Sequence, residues 1–133
     1  MDDPISAALH SARQFRTNGR LAEAYQAYSQ ASSLARAADK ANNLACALRH
    51  VSDVGRELGN VHNALAAGQE AVAIYRADAD PAPLDLANAL RVTALALQEL
   101  GRKDEAKPVW LEARSLYAVV GVKEGVAECE ANL

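Results

Sequence analysis

The sequence predicts an all-α fold: a solenoid of three helical hairpins laid side by side and closed by a seventh, capping helix. Three observations predict it. The first is a glycine in register: Gly19, Gly59 and Gly101 follow one another at intervals of 40 and 42 residues, each inside a short polar turn. The second is the set of small residues around each glycine. Alanine stands five residues after it (Ala24, Ala64, Ala106) and twelve after it (Ala31, Ala71, Ala113), and a small residue stands seven before it (Ala12, Ser52, Ala94). The third is composition. Half of the 133 residues are hydrophobic but only 5% are aromatic, and the 7 Gly and 4 Pro fall at a few separated places. That is punctuation between helices rather than low complexity. A long period repeated in register is the mark of stacked units, none of which hides its apolar face alone.

Residues 1–133 read as one repeat domain, with repeats at about 4–38, 41–78 and 82–120 and a cap at about 122–132. The first helix is expected at about 4–18. Asp3 is its N-cap and Pro4 its first helical residue, where a missing N–H costs nothing. Gly19 ends it, because glycine accepts the positive φ of a helix-terminating turn. The second helix, about 20–38, carries Tyr28 nine residues past the glycine. Tyr28 and its counterpart Trp110, like Phe15 and Leu97 four before their glycines, fill the wider gaps. The third helix, about 41–58, has Asp39 as its candidate cap, and the fourth runs about 60–78. In this middle hairpin Gly55 and Gly68 replace both large fillers. The helices close up, a neighbour such as Tyr28 or Trp110 fills the space, or a small pocket opens. The fifth helix, about 82–100, is expected to be capped by Asp80 with Pro81 at its first helical position. The sixth, about 103–120, holds Pro108 beyond its first turn, so a kink or a lost backbone bond is expected there. The seventh, about 122–132, shows one apolar stripe of Val122, Val126, Cys129 and Leu133, with Glu130 where earlier repeats have Leu48 and Leu90. A polar outer face suits a cap.

These residues resemble the tetratricopeptide repeat (TPR): a small residue in the first helix, a turn, then alanine and an aromatic in the second. The resemblance covers nearly the whole chain from Pro4. The period exceeds the family's usual 34 and resembles the long variant of kinesin light chains. The family's proline after the second helix is replaced by Arg36, Arg76 and Ala118, and its early tryptophan is absent. The resemblance implies a right-handed α-solenoid whose first helices line a concave, peptide-binding groove. Carried over, that groove holds Ser6, Leu9, His10, Arg13, Arg16 and Thr17; then Cys46, Arg49, His50, Asp53, Arg56 and Glu57; then Asn88, Arg91, Val92, Leu95, Gln98 and Glu99. Large polar residues interrupt the apolar pattern at the same positions.

The groove set contains five arginines against Asp53, Glu57 and Glu99, in a chain of net charge −3. Two readings follow. An acidic peptide segment pairs with the arginines, or the arginines form a solvated face with internal partners, such as Arg49 with Asp53 one turn away. The lysine and asparagine clamp that some family members use for a terminal carboxylate is absent, with Leu9 and Arg13 in its place.

The charge balance argues against nucleic acid or an anionic membrane as partner. The acidic N-terminus does not read as a signal peptide, and two distant cysteines, Cys46 and Cys129, read as reduced thiols of a cytoplasmic protein. His10 and His50 occupy equivalent places in successive repeats, but neighbouring helices on the order of 10 Å apart do not bring both within the ~2.1 Å of a shared zinc. No metal, cofactor or catalytic constellation is expected. The expected function is a non-catalytic peptide-binding scaffold. The alternatives are a solenoid that self-associates through its terminal helices, using Ala8, Ala12, Phe15 and Leu133, and a small-molecule sensor at Gly55 and Gly68.

Overall fold

Seven helices follow one another in the computed structural model, which describes residues 3–133. They are α1 (Pro4–Thr17), α2 (Leu21–Ala37), α3 (Ala41–Glu57), α4 (Val61–Ala77), α5 (Pro83–Glu99), α6 (Lys103–Val119) and α7 (Lys123–Ala131). No strand occurs among the described residues. The period is explained by element length. From α2 to α6 every helix has 17 residues. Two such helices joined by three-residue turns recur every 40; the turn between α4 and α5, Asp78–Ala82, is two residues longer and accounts for the 42.

Gly19, Gly59 and Gly101 all have positive φ, between 76° and 88°, and end α1, α3 and α5. Gly121 does the same after α6, at φ 74°. Asp39 plays the glycine's part after α2, at φ 55°, a conformation that aspartate tolerates better than most residues. This corrects its expected role: the N-cap of α3 is Lys40, without a side-chain cap. The Asp80-Pro81 start of α5 is also corrected. Pro83 opens that helix and Ala82 is its N-cap, because the longer turn delays the helix by two residues. Asp3 caps α1 as expected, accepting from the Ser6 N–H at 3.3 Å. The sixth helix runs unbroken through Pro108, whose ring nitrogen has no hydrogen for the Asp104 carbonyl.

Packing is sequential. Each helix meets its chain neighbours, and α3 also meets α5. The core is alanine where helices cross, with Ala12, Ala31, Ala45, Ala71, Ala94 and Ala113 fully buried. Between the crossings Tyr28, Tyr75, Trp110 and Tyr117 supply the bulk. The expectation that Tyr28 or Trp110 fills the middle hairpin is corrected. At Gly55 the neighbour is Tyr25, whose ring would lie 3.1 Å from an added Cβ. At Gly68 the helices have closed up: a Cβ there would lie 2.7 Å from Thr93 Oγ1 and 3.1 Å from Ser52 Oγ. Neighbours occupy the space at both glycines, so the pocket expected as an alternative there is not formed.

The α7 stripe is partly buried, with Cys129 fully enclosed, Val122 and Val126 half-buried and Leu133 exposed. Gly125 lets α7 lie against the Tyr117 ring, which would be 2.5 Å from any Cβ at that position. On α1 the apolar residues turn inward: Ala8 and Ala12 are buried, and Phe15 is half-buried beneath the Arg20 guanidinium. Of the three apolar residues expected on α1 for self-association, Phe15 alone is partly exposed.

Candidate functional site on the odd-helix face

Long-range ion pairs define two layers. Arg36 on α2 grips Glu70 on α4 through two hydrogen bonds of 2.7 and 3.1 Å, and Arg76 on α4 grips Glu112 on α6 at 2.8 and 2.6 Å. These pairs repeat in register, since both arginines lie seventeen residues past their glycine and both glutamates eleven. Exposed pairs of this kind contribute little to stability; their regularity shows that the even helices neighbour one another. The odd helices are linked likewise. Arg16 on α1 donates to Asp53 at 2.9 Å and to Glu57 at 2.7 Å, both on α3. Arg56 on α3 donates to Asp53 at 2.9 Å and to Glu99 on α5 at 3.1 Å. Arg91 on α5 holds Glu128 on α7 side-on, through Nε and Nη2.

The odd-helix face carries the residues expected to line a groove, and the pairing divides them. Arg16, Arg56 and Arg91 are committed to carboxylates of the neighbouring helix. The suggested Arg49–Asp53 pair is not formed. Asp53 is taken by Arg16 and Arg56, and although burial works to raise its pKa, hydrogen bonds from Arg56 and Arg16 hold it below the ordinary carboxylate value. Arg13 and Arg49 make no ion pair among the described residues. Arg13 is exposed, while Arg49 is half-buried and its Nε is enclosed without a hydrogen-bond partner. Leu9 and Val92 are buried, Leu95 and Gln98 half-buried, and His10 exposed.

The histidines differ. His50 stacks on Tyr28, with ring centroids 4.6 Å apart and planes 11° from parallel. Its pKa is lowered to about 4, first by burial and then by the charges of Arg49 and Arg16, with Arg13 adding to them and Asp53 opposing. A pH prediction follows. Between its ordinary 6.5 and about 4, His50 binds a proton in the unfolded chain and not in the folded one, so stability falls as pH drops through that window. Asp53, whose pKa is lowered, adds its own loss at more acidic pH. Melting temperature measured against pH should therefore decline between 6.5 and 4, and His50→Gln should flatten that segment. An unchanged slope in the variant would show that another group governs it.

Three tyrosines stand behind this face. Tyr117 donates to Asn88 Oδ1 at 2.7 Å. Its pKa is pushed up to about 12, chiefly by burial, against the charges of Arg91 and Arg49. Tyr75, sixteen residues past its glycine as Tyr117 is past its own, is also pushed up to about 12, by burial first and then by Asp85, with Arg49 beside it working the other way. Cys46 and Cys129 are both free thiols. No three His, Cys, Asp or Glu side chains gather as a metal site among the described residues. No helix there is long and apolar enough to cross a membrane. The features that sequence reasoning missed here are the Tyr75 and Tyr117 hydroxyls and the role of Glu128. Their signal was present, because Tyr75 and Tyr117 share an offset from their glycines.

Near-equivalent helical hairpins stacked in two layers make this a TPR-like α-solenoid. The fold is similar to two crystal structures, one of them a point variant, of nearly identical TPR-like repeats from a Podosopora anserina protein assigned as a kinesin light chain. Both give a TM-score of 0.74, at 18% and 19% identity, over 89% of this chain. This chain spans 57% and 58% of the length of those two. At that identity the likeness establishes the fold alone. No family model matches the sequence, and no curated protein matches it.

Proposed function

We propose that the chain is a non-catalytic binding scaffold that docks a peptide or protein segment along the face built by α1, α3 and α5. One observation carries the reading. On this face the ion-pair network is incomplete: Arg13 and Arg49 have no carboxylate partner among the described residues, whereas the arginines around them do. Guanidinium groups without a carboxylate partner suit carboxylate recognition; Arg49 is otherwise bonded only to the neutral Tyr75 side chain. In a TPR-like solenoid the first helices of the hairpins line the concave side, which presents such groups together. The scaffold is already ordered by its alanine crossings, so a ligand does not have to pay for ordering it.

A peptide selected from a random display library on the wild-type protein tests this. Arg13→Glu, on the odd-helix face, should weaken capture of that peptide several-fold. Lys107→Glu, an equal charge reversal on exposed α6, should leave it unchanged. The opposite ranking would move the docking surface to the even layer.

A further inference from the structure

The internal repeat supplies its own template for a ligand. Arg49 and Arg91 both lie ten residues before their glycines, Gly59 and Gly101, so they are the same residue of successive repeats. The tyrosine behind each, Tyr75 or Tyr117, is also equivalent. Arg91 is satisfied by Glu128, whose two oxygens take Nε and Nη2. Glu128 lies seven residues past the positive-φ Gly121, as Cys46 lies seven past the positive-φ Asp39. Cys46 in turn matches Asn88, since each stands thirteen residues before its glycine. The residue of the next odd helix that corresponds to Glu128 is therefore, for Arg49, Asn88. It is an amide rather than a carboxylate, and its oxygen is already engaged by Tyr117. Arg49 is left with a buried, unpartnered Nε at the position where Arg91 Nε donates to a glutamate.

We infer that Arg49 is the anchor for an aspartate or glutamate side chain of the docked peptide, bound side-on as Glu128 is bound by Arg91. The site rests on the odd-helix face being the docking surface and adds which chemical group is read there and by which atoms. Arg49 Nε, enclosed in the unliganded structure, is reached when the side chain turns toward the groove, and Nε and Nη2 then donate to the two carboxylate oxygens. The neutral His50–Tyr28 stack contributes no competing charge, and Asn88 cannot neutralise the guanidinium. Arg13 contributes attraction from the rim rather than the bidentate contact. The ligand is a peptide side chain and not a chain terminus, because the template on Arg91 is itself a glutamate side chain projecting from a helix.

The test uses peptides selected on the wild-type protein from a random display library, with binding read by fluorescence polarisation. The expected result is that each selected peptide contains an Asp or Glu whose change to the amide weakens binding about tenfold or more, the worth of a charge-assisted hydrogen bond. Arg49→Gln should weaken binding by a similar factor and make the amide peptide and the acidic peptide equivalent. Asn88→Glu should place a carboxylate opposite Arg49 as Glu128 is placed opposite Arg91. It should weaken binding equally while leaving the melting temperature unchanged or higher, a result that misfolding cannot produce. Peptides that bind, respond to Arg13→Glu, and ignore Arg49→Gln and Asn88→Glu would overturn the carboxylate anchor and leave the docking face standing. Failure to select any peptide would overturn both.

Discussion

Trp110→Ala is expected to lower folding stability by about 3–5 kcal/mol, the usual loss when a large aromatic is deleted from a core that cannot collapse. Trp110 is fully buried on α6, and Ala106 and Ala113 on the same helix are small and enclosed. Ala106 and Ala113, about one turn to either side of it on α6, have no rotamer with which to fill the hole. Urea denaturation should show the loss in the midpoint, and a melting temperature lower by about 10 °C or more should accompany it. Trp110→Phe should cost distinctly less. The indole Nε1 is buried without a partner, so removing it also removes an uncompensated desolvation. If Trp110→Ala lost under about 1 kcal/mol, the alanine-lined crossing would be softer than the dense interior the structure implies.

Gly68→Leu is expected to be damaging for the opposite reason. At this glycine α4 crosses Thr93 of α5 and Ser52 of α3, with the Thr93 backbone 3.4 Å from where a Cβ would stand. Thr93 cannot retreat easily, because it is buried and its hydroxyl donates to the Ala89 carbonyl at 2.8 Å. Overpacking of this kind costs about 1–3 kcal/mol and occasionally more. Even Gly68→Ala should destabilise, although alanine gains about 1 kcal/mol over glycine in a helix interior. Gly59→Ala provides the contrast. Nothing lies within 4 Å of its Cβ direction, so only the positive φ of 88° resists, at about 1–2 kcal/mol. The two glycines thus separate close approach from backbone conformation, and thermal unfolding of the three variants distinguishes them.

The helices were legible because their punctuation is local. Gly19, Gly59 and Gly101 announce turns by needing positive φ, and the alanines mark crossings within one hairpin. Two ends were misread where a local signal had two meanings. Asp39 looked like a cap and is the left-handed turn residue itself. Asp80-Pro81 looked like a helix start, two residues ahead of Ala82-Pro83, which is the real one. The long period and the missing proline and tryptophan place the sequence far from the TPR consensus, while the helical stacking is kept.

The candidate site was legible as a set of positions and not as a network. Sequence spacing pairs Arg49 with Asp53 because they lie one turn apart. In the fold Asp53 is reached from Arg16, 37 residues away, as well as from Arg56. Which arginine is left over depends on how far one helix slides against the next, and no single-helix pattern contains that distance. Likewise Gly55 is filled by Tyr25 rather than Tyr28, a choice made by the rotation of α2 against α3.

Binding on the odd-helix layer can be read by amide chemical-shift mapping with a selected peptide. The largest shifts should fall on α1, α3 and α5, around Arg13, Arg49, Asn88 and Leu95, with the exposed residues of α2, α4 and α6 unmoved. Shifts concentrated on the even helices, or on the outer side of α7, would contradict it.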